Sequence, residues 1–139
     1  MNFVKSTLFG LLLTMLILAA CAPSPQTDLT GSEWKLTSLQ VNGENMELKT
    51  QNPVTLEIDK DHAVAGSAGC NHYFGAIDFK SDGSLEASNF GNTEMFCMEG
   101  MEVETAFLSA MISAETWSLN GDTLTIKSPE VESVLVFTK

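Results

Sequence analysis

Apolar residues that alternate with polar ones in short runs, broken once by a stretch with three- and four-residue spacing, predict a mainly β (α+β) fold. The expected architecture is an antiparallel sheet carrying one amphipathic helix over about residues 99–114. Two further observations support it. Turn pairs of the Asn-Gly and Asp-Gly type punctuate the runs, and no long linker or low-complexity tract divides the chain after residue 28.

Each element has its own reason. In "EWKLTSLQV", Trp34 and Leu36 share one face, and Leu39 and Val41 return to it only if the register changes near Ser38. Asn42-Gly43 then signals a hairpin. "VTLEID" alternates Val54, Leu56 and Ile58 against Thr55 and Glu57, and "DKDH" makes the next turn. "AVAGSAG" is a strand of small residues, where Gly66 and Gly69 suggest a bulge, a corner or close backbone approach. Two strands flank Asp82-Gly83, two more flank Asn120-Gly121, and "SVLVFT" closes the chain. The exception to the pattern runs from Glu99 to Ala114. Met101, Leu108, Met111 and Ile112 recur there at helical spacing, with Val103 and Phe107 alongside. Glu99, Glu102 and Glu104 load the first turns with charge suited to the helix dipole.

Residues 1–20 stand outside this fold. Lys5 precedes an apolar run from Leu8 to Ala20 that is too short to span a bilayer comfortably, as in a signal peptide. The following "LAAC", Leu18 to Cys21, resembles the bacterial lipobox. That resemblance implies cleavage before Cys21, a thioether-linked diacylglycerol on its sulfur, an amide-linked acyl chain on its new amine (palmitate among the chains), and a lipid anchor at the new N-terminus. Two or more acyl chains hold essentially permanently, where one binds only marginally. Ala22 rather than Asp after the cysteine implies export to the outer membrane. The expected organisation is a signal peptide at 1–20, a lipidated tether at 21–28 and one domain at 29–139.

Removing residues 1–20 from the 139 leaves 119, enough for one core and too few for two. It also removes one of the seven lysines, so six face eighteen acids, and the chain contains no arginine. This balance argues against nucleic acid and phosphate ligands, and against docking on anionic headgroups through a basic patch. Solubility and reduced self-association account for the acidity, and a monomer is expected. Three cysteines become an even pair once Cys21 is assigned to lipid. Cys70 and Cys97 are then a candidate disulfide in an oxidising compartment.

With these elements placed, the chain resembles the META domain, the family of HslJ-like bacterial envelope lipoproteins. Four stretches carry the likeness: "WKLTSLQVNG", "VAGSAGCNHYFGAI", "TEMFCMEGMEVETAFLSAM" and "LNGDTLTI" with "LVF". The resemblance implies a compact, cracked-barrel-like antiparallel sheet with one helix. It places Cys70 and Cys97 on the family's two cysteines, and Trp34, Gly66, Gly69, Asn71, Gly75, Thr93 and Met95 on motif positions with structural roles. Phe96 departs from the pattern, where a small residue is usual, and implies crowding of the turn near Cys97. The resemblance supplies architecture and location, with no catalytic residue, metal or cofactor.

The stretch "GCNHYFG" holds residue types of sharper chemistry. Cys70 and His72 would share a face of an extended strand, as a nucleophile and base must, but an acidic chain disfavours the thiolate and a second cysteine is available for oxidation. Asn71 reads as a device for shaping the local backbone. Met95, Cys97, Met98 and Met101, with His62 and His72 elsewhere, are soft ligand types that suit copper(I), although methionines more often fill core gaps. Glu102 and Glu104 lie two apart on a helix and point away from each other, and Asp59 and Asp61 lack the rest of a calcium loop. The function expected is therefore a non-enzymatic, lipid-anchored binding or envelope-maintenance module, stress-related by the resemblance. The alternatives are a carrier holding a small apolar ligand inside a partly open barrel, and a thiol redox or copper protein using Cys70 and Cys97.

Overall fold

The computed structural model describes residues 28–139. Nine strands form one sheet: β1 (Glu33–Val41), β2 (Glu44–Asn45), β3 (Thr55–Ile58), β4 (Ala63–Ser67), β5 (His72–Phe79), β6 (Leu85–Asn92), β7 (Thr116–Asn120), β8 (Thr123–Ser128) and β9 (Ser133–Thr138). The single α-helix among the described residues, α1 (Met101–Ile112), joins β6 to β7. Every pairing is antiparallel, and the order across the sheet is β6-β5-β4-β3-β1-β9-β8-β7, with the short β2 on β1.

Local chemistry sets the pairing. Asn42 and Gly43 both take positive φ, 53° and 79°, which the tight β1–β2 turn demands. In β1 the register against β9 shifts between Leu36 and Ser38, as the hydrophobic pattern requires. Thr37 is the inserted residue, and its hydroxyl donates to Val136 O at 3.1 Å. The shift keeps Trp34, Leu36 and Leu39 all inside. A second irregularity falls in β6, where Asn89 (φ 55°) and Phe90 together face Gly75 between the pairs Phe74–Gly91 and Ala76–Ser88.

The sheet curls into a half-barrel whose outermost strands meet at one end only. Ser84 bridges Thr116 there; Leu85 N–H donates to Glu115 O and Trp117 N–H to Gly83 O, each at 2.9 Å. Helix α1 packs against β6, β8 and β9 across the rest of the opening. Side chains fill the interior: Trp34, Tyr73, Phe107, Met111 and Phe137 are essentially inaccessible. Phe107 from the helix sets its ring edge-on to Tyr73 at 5.2 Å and to Phe137 at 6.3 Å.

The helix departs from expectation in its start and its face. It begins after Gly100 in left-handed geometry (φ 90°), not at Glu99. Its buried residues are Val103, Glu104, Phe107, Ala110 and Met111, whereas Ile112 is 55% exposed and Met101 and Leu108 are half-buried. Of the residues expected on the apolar face, Val103, Phe107 and Met111 are inward, while Met101, Leu108 and Ile112 lie to its side, so the buried stripe is displaced from the expected centre. The displacement has a chemical cause, because a glutamate occupies one inward position.

Candidate functional site

The turn from β4 into β5, residues 67–72, is shaped by two glycines that allow close approach. At Gly66 a Cβ would lie 2.2 Å from Thr55 O, the same carbonyl that accepts the Tyr73 hydroxyl at 2.7 Å. Gly69 (φ 105°) lets Thr50 pack where its own side chain would stand, and Gly100 does the same from the other side of Thr50. One threonine is thus held between the start of β5 and the start of α1.

Asn71, almost wholly buried, joins three segments through its carboxamide. Its Nδ2 donates to Met95 O at 3.0 Å while Met95 N–H donates to its Oδ1 at 2.7 Å, a reciprocal pair like that between two strand peptides. Thr93 hydroxyl also donates to Oδ1, at 2.8 Å. Glu104 completes the arrangement from α1. Its Oε2 accepts the backbone N–H groups of Cys70 (3.2 Å) and Asn71 (2.7 Å), and its Oε1 accepts Asn71 Nδ2 at 2.7 Å. Every partner is an N–H donor, so a buried carboxylate with no ion-pair partner among the described residues has its oxygens satisfied by hydrogen bonds.

Around this centre lies a covalent staple. Cys70 and Cys97 form a disulfide with Cα atoms 6.0 Å apart, closing a sequence separation of 27 residues. On the chain-entropy argument a loop of that length contributes about 3–4 kcal/mol. The loop from Thr93 to Gly100 is therefore pinned at two interior points, by Asn71 on the Met95 backbone and by the disulfide at Cys97. What it presents is apolar. Phe96 is 83% exposed and Met98 88%, with Met95 at 54%. A groove of about 560 Å³ runs between this loop, the first turn of α1 and residues 46–49. Its apolar wall includes Met46, Phe96, Met98 and Met101, and Glu47, Glu99 and Glu102 stand around it.

The remaining sequence candidates separate. His72 is exposed and lines a different groove, with Glu33, Lys35 and Glu57 on the outer face of β1 and β3. Cys70 points inward to Cys97, so the structure does not assemble the nucleophile–base pair. His62 lies 3.6 Å from Asp78, remote from the methionines. Among the described residues no three His, Cys, Asp or Glu side chains gather as a metal-binding group. The disulfide takes up both thiols that a copper site would use, and is the oxidised state of a thiol redox couple. Met95 contributes backbone rather than packing, since its side chain is exposed. Phe96 does not crowd the turn, because it points to solvent. Asn71 acts mainly across 22 to 33 residues of sequence, with one local contact from its Nδ2 to Cys70 Sγ at 3.6 Å. Trp34 is buried, donates to Leu29 O at 3.0 Å and carries the Lys139 ammonium over its ring. Around Gly75, the Phe90 ring covers the space a side chain would need. Cys21 and the expected signal peptide lie outside the described residues, as does all of the expected tether except Asp28.

Sequence reading missed Glu104. Its signal was present, since it sits four residues after Gly100 and three before Phe107 on what proves to be the inward face. A charge at that place reads as a solvated first-turn glutamate until its partners are known.

A half-barrel with one helix, stapled at a Gly-Cys-Asn corner, defines a class of small β-rich domain. The chain belongs to the META domain family, whose model matches residues 27–139. Solved structures show the same fold. An NMR structure of a protein from Burkholderia xenovorans is 22% identical, with a TM-score of 0.64 over 79% of this chain and 82% of that one. The crystal structure of a DUF4847-family protein from Bacteroides vulgatus is 14% identical, with a TM-score of 0.59 over 79% of this chain and 93% of that one. A second NMR structure is 24% identical, with a TM-score of 0.60 over 79% and 90%. No curated protein matches the chain.

Proposed function

We propose that this META-domain chain is a lipid-anchored, non-enzymatic module of the bacterial cell envelope. It is held at the outer membrane facing the periplasm and binds a protein partner through the 93–100 loop. The carrying observation is that Phe96 and Met98 are exposed on a backbone fixed by the Cys70–Cys97 disulfide and by Asn71. Large apolar side chains on a mobile loop could fold away from water. On a braced loop they remain presented, and a contiguous exposed apolar patch marks an interaction surface more often than chance. Preorganisation also lowers the entropy lost on binding. The lipobox-like "LAAC" and the acidic, arginine-free composition support the anchored, periplasmic setting. The carrier alternative gains no support from the interior, where Trp34, Tyr73, Phe107 and Phe137 occupy the space a ligand would use.

One experiment tests both halves. With a photoreactive residue in place of Phe96, the full chain should fractionate with membranes and crosslink to a discrete protein neighbour in intact cells. Changing Cys21 to Ala should release it from the membrane fraction. Membrane association that survives Cys21→Ala would overturn the anchor, and crosslinking no stronger than from an exposed polar position such as Lys60 would overturn the binding surface.

A further inference from the structure

We propose that the groove between residues 46–49 and the start of α1 receives a cationic, amphipathic peptide segment of the partner protein. The apolar side of that segment lies on Met46, Phe96, Met98 and Met101, and its lysines or arginines face Glu99 and Glu102. The inference rests on the partner-binding reading and names the chemistry of what is bound.

The apolar wall is unusual in its composition, with three thioethers and one aromatic ring around an opening of about 560 Å³. Methionine is unbranched and polarisable, so a methionine-lined surface can repack around side chains of different shape. The groove's base is firm, because Cys97 is held in the disulfide and Val103 is buried. This combination suits the anchors of an amphipathic segment laid in a groove.

Charge decides which occupant fits. The groove has one lysine, Lys49, whose ammonium lies 2.9 Å from the Glu47 carboxylate and is thereby matched. Among the described residues no lysine or histidine comes within ion-pair distance of Glu99 or Glu102. The positive end of α1 favours Glu102 at its site, but leaves its outer side exposed to solvent. Anionic lipid would meet these carboxylates with like charge. A second copy would bring the same groove and a formal charge of −11. A segment with basic residues beside apolar ones meets both the wall and the rim, and charge complementarity of this kind favours encounter as well as register.

Two measurements test the proposal. In the first, photocrosslinks made from positions 96 and 98 in cells are mapped to their sites on the captured protein. Basic amphipathic segments are expected. Acidic or uncharged segments, lipid, or another copy of this chain would overturn the inference while leaving the existence of a docking surface intact. An absence of protein crosslinks would instead remove the reading beneath it. In the second, a fluorescent Leu/Lys amphipathic peptide and its Leu/Glu counterpart are titrated by anisotropy onto the purified full chain in a zwitterionic detergent. Wild type should bind the Leu/Lys peptide and not the Leu/Glu peptide. The double variant Phe96→Ser/Met98→Ser should weaken binding by at least about tenfold. Glu99→Gln/Glu102→Gln should weaken it less and flatten its dependence on salt. Micelle binding is common to all samples, so the difference between variants reads the groove. Equal affinities for the two peptides, or a double variant as tight as wild type, would overturn the proposal. Both positions of the double variant are exposed, and an unchanged melting temperature checks its fold.

Discussion

The Asn71 carboxamide has one workable orientation. Flipping it would set Nδ2 against Met95 N–H and Oδ1 against Met95 O, and would also point Oδ1 at Glu104 Oε1. That constraint passes to Glu104, both of whose oxygens face donors. An amide at position 104 must place N–H against N–H on one side or the other. Glu104→Gln, nearly isosteric, is therefore expected to destabilise the domain by about 2–3 kcal/mol, and Asn71→Ala, which strands groups at Thr93 and Met95 and on Glu104, by about 3–5 kcal/mol. Urea unfolding with the disulfide intact measures both. A Glu104→Gln midpoint equal to wild type would show that the carboxylate is not needed as an acceptor. At this scale the sequence was only half legible. Asn71 and Cys70 stand out in "GCNHYFG", but the carboxylate that fixes them lies 33 residues away in the chain and looks like any first-turn glutamate. Nothing in local spacing tells a buried acid from a solvated one; only the fold that brings α1 against the β5 start does so.

At the scale of elements, period-two patterning carries more. The strands, the register change in β1 and the hairpin at Asn42-Gly43 follow from the sequence because one face of each strand is buried. The helix face follows only in part: Val103, Phe107 and Met111 turn inward, but the inward stripe also contains a glutamate and Ile112 is exposed. The β5–β6 pair shows a subtler device. A Cβ at Gly75 would lie 2.7 Å from the Phe90 ring, and one at Gly91 would lie 2.6 Å from the Phe74 ring, so each glycine is covered by an aromatic of the other strand. The two are not equivalent. Phe74 is 61% exposed and can swing away, whereas Phe90 packs on the core and stacks on Tyr73 at 6.2 Å. Gly75→Ala should thus destabilise by about 1–3 kcal/mol, as overpacking does. Gly91→Ala should stay within about 0.5 kcal/mol of wild type, as at surface sites. Comparing thermal midpoints of the two variants decides it. Equal losses would mean that Phe74 is held as firmly as Phe90, and no loss in either that Phe90 yields as Phe74 does.

For the whole molecule, the interior is closed by aromatic rings contributed from β1, β5, α1 and β9, and Tyr73 is the one among them whose proton titrates. Its hydroxyl reaches from β5 to Thr55 O on β3 at the place where Gly66 permits close approach. Burial first, and the Glu57 carboxylate second, push this hydroxyl far above its ordinary value of 10.0. The sign of the consequence follows from proton counting. Below pH 10 both states hold the phenolic proton, and the contribution to stability is complete. Above it the unfolded chain releases the proton while the folded chain keeps it, so the unfolded state binds fewer protons and stability falls as pH rises. The loss continues towards the raised folded value, so alkaline unfolding begins before the folded molecule itself titrates. Tyr73→Phe separates this from lysine titration, which both proteins share. The variant should lose about 1 kcal/mol at neutral pH for the missing bond to Thr55 O, yet show a shallower decline above pH 10. Melting temperatures across the alkaline range would therefore converge, with wild type falling faster than the variant. Parallel declines would show that the tyrosine proton is not linked to folding, and that the alkaline sensitivity of the barrel lies elsewhere.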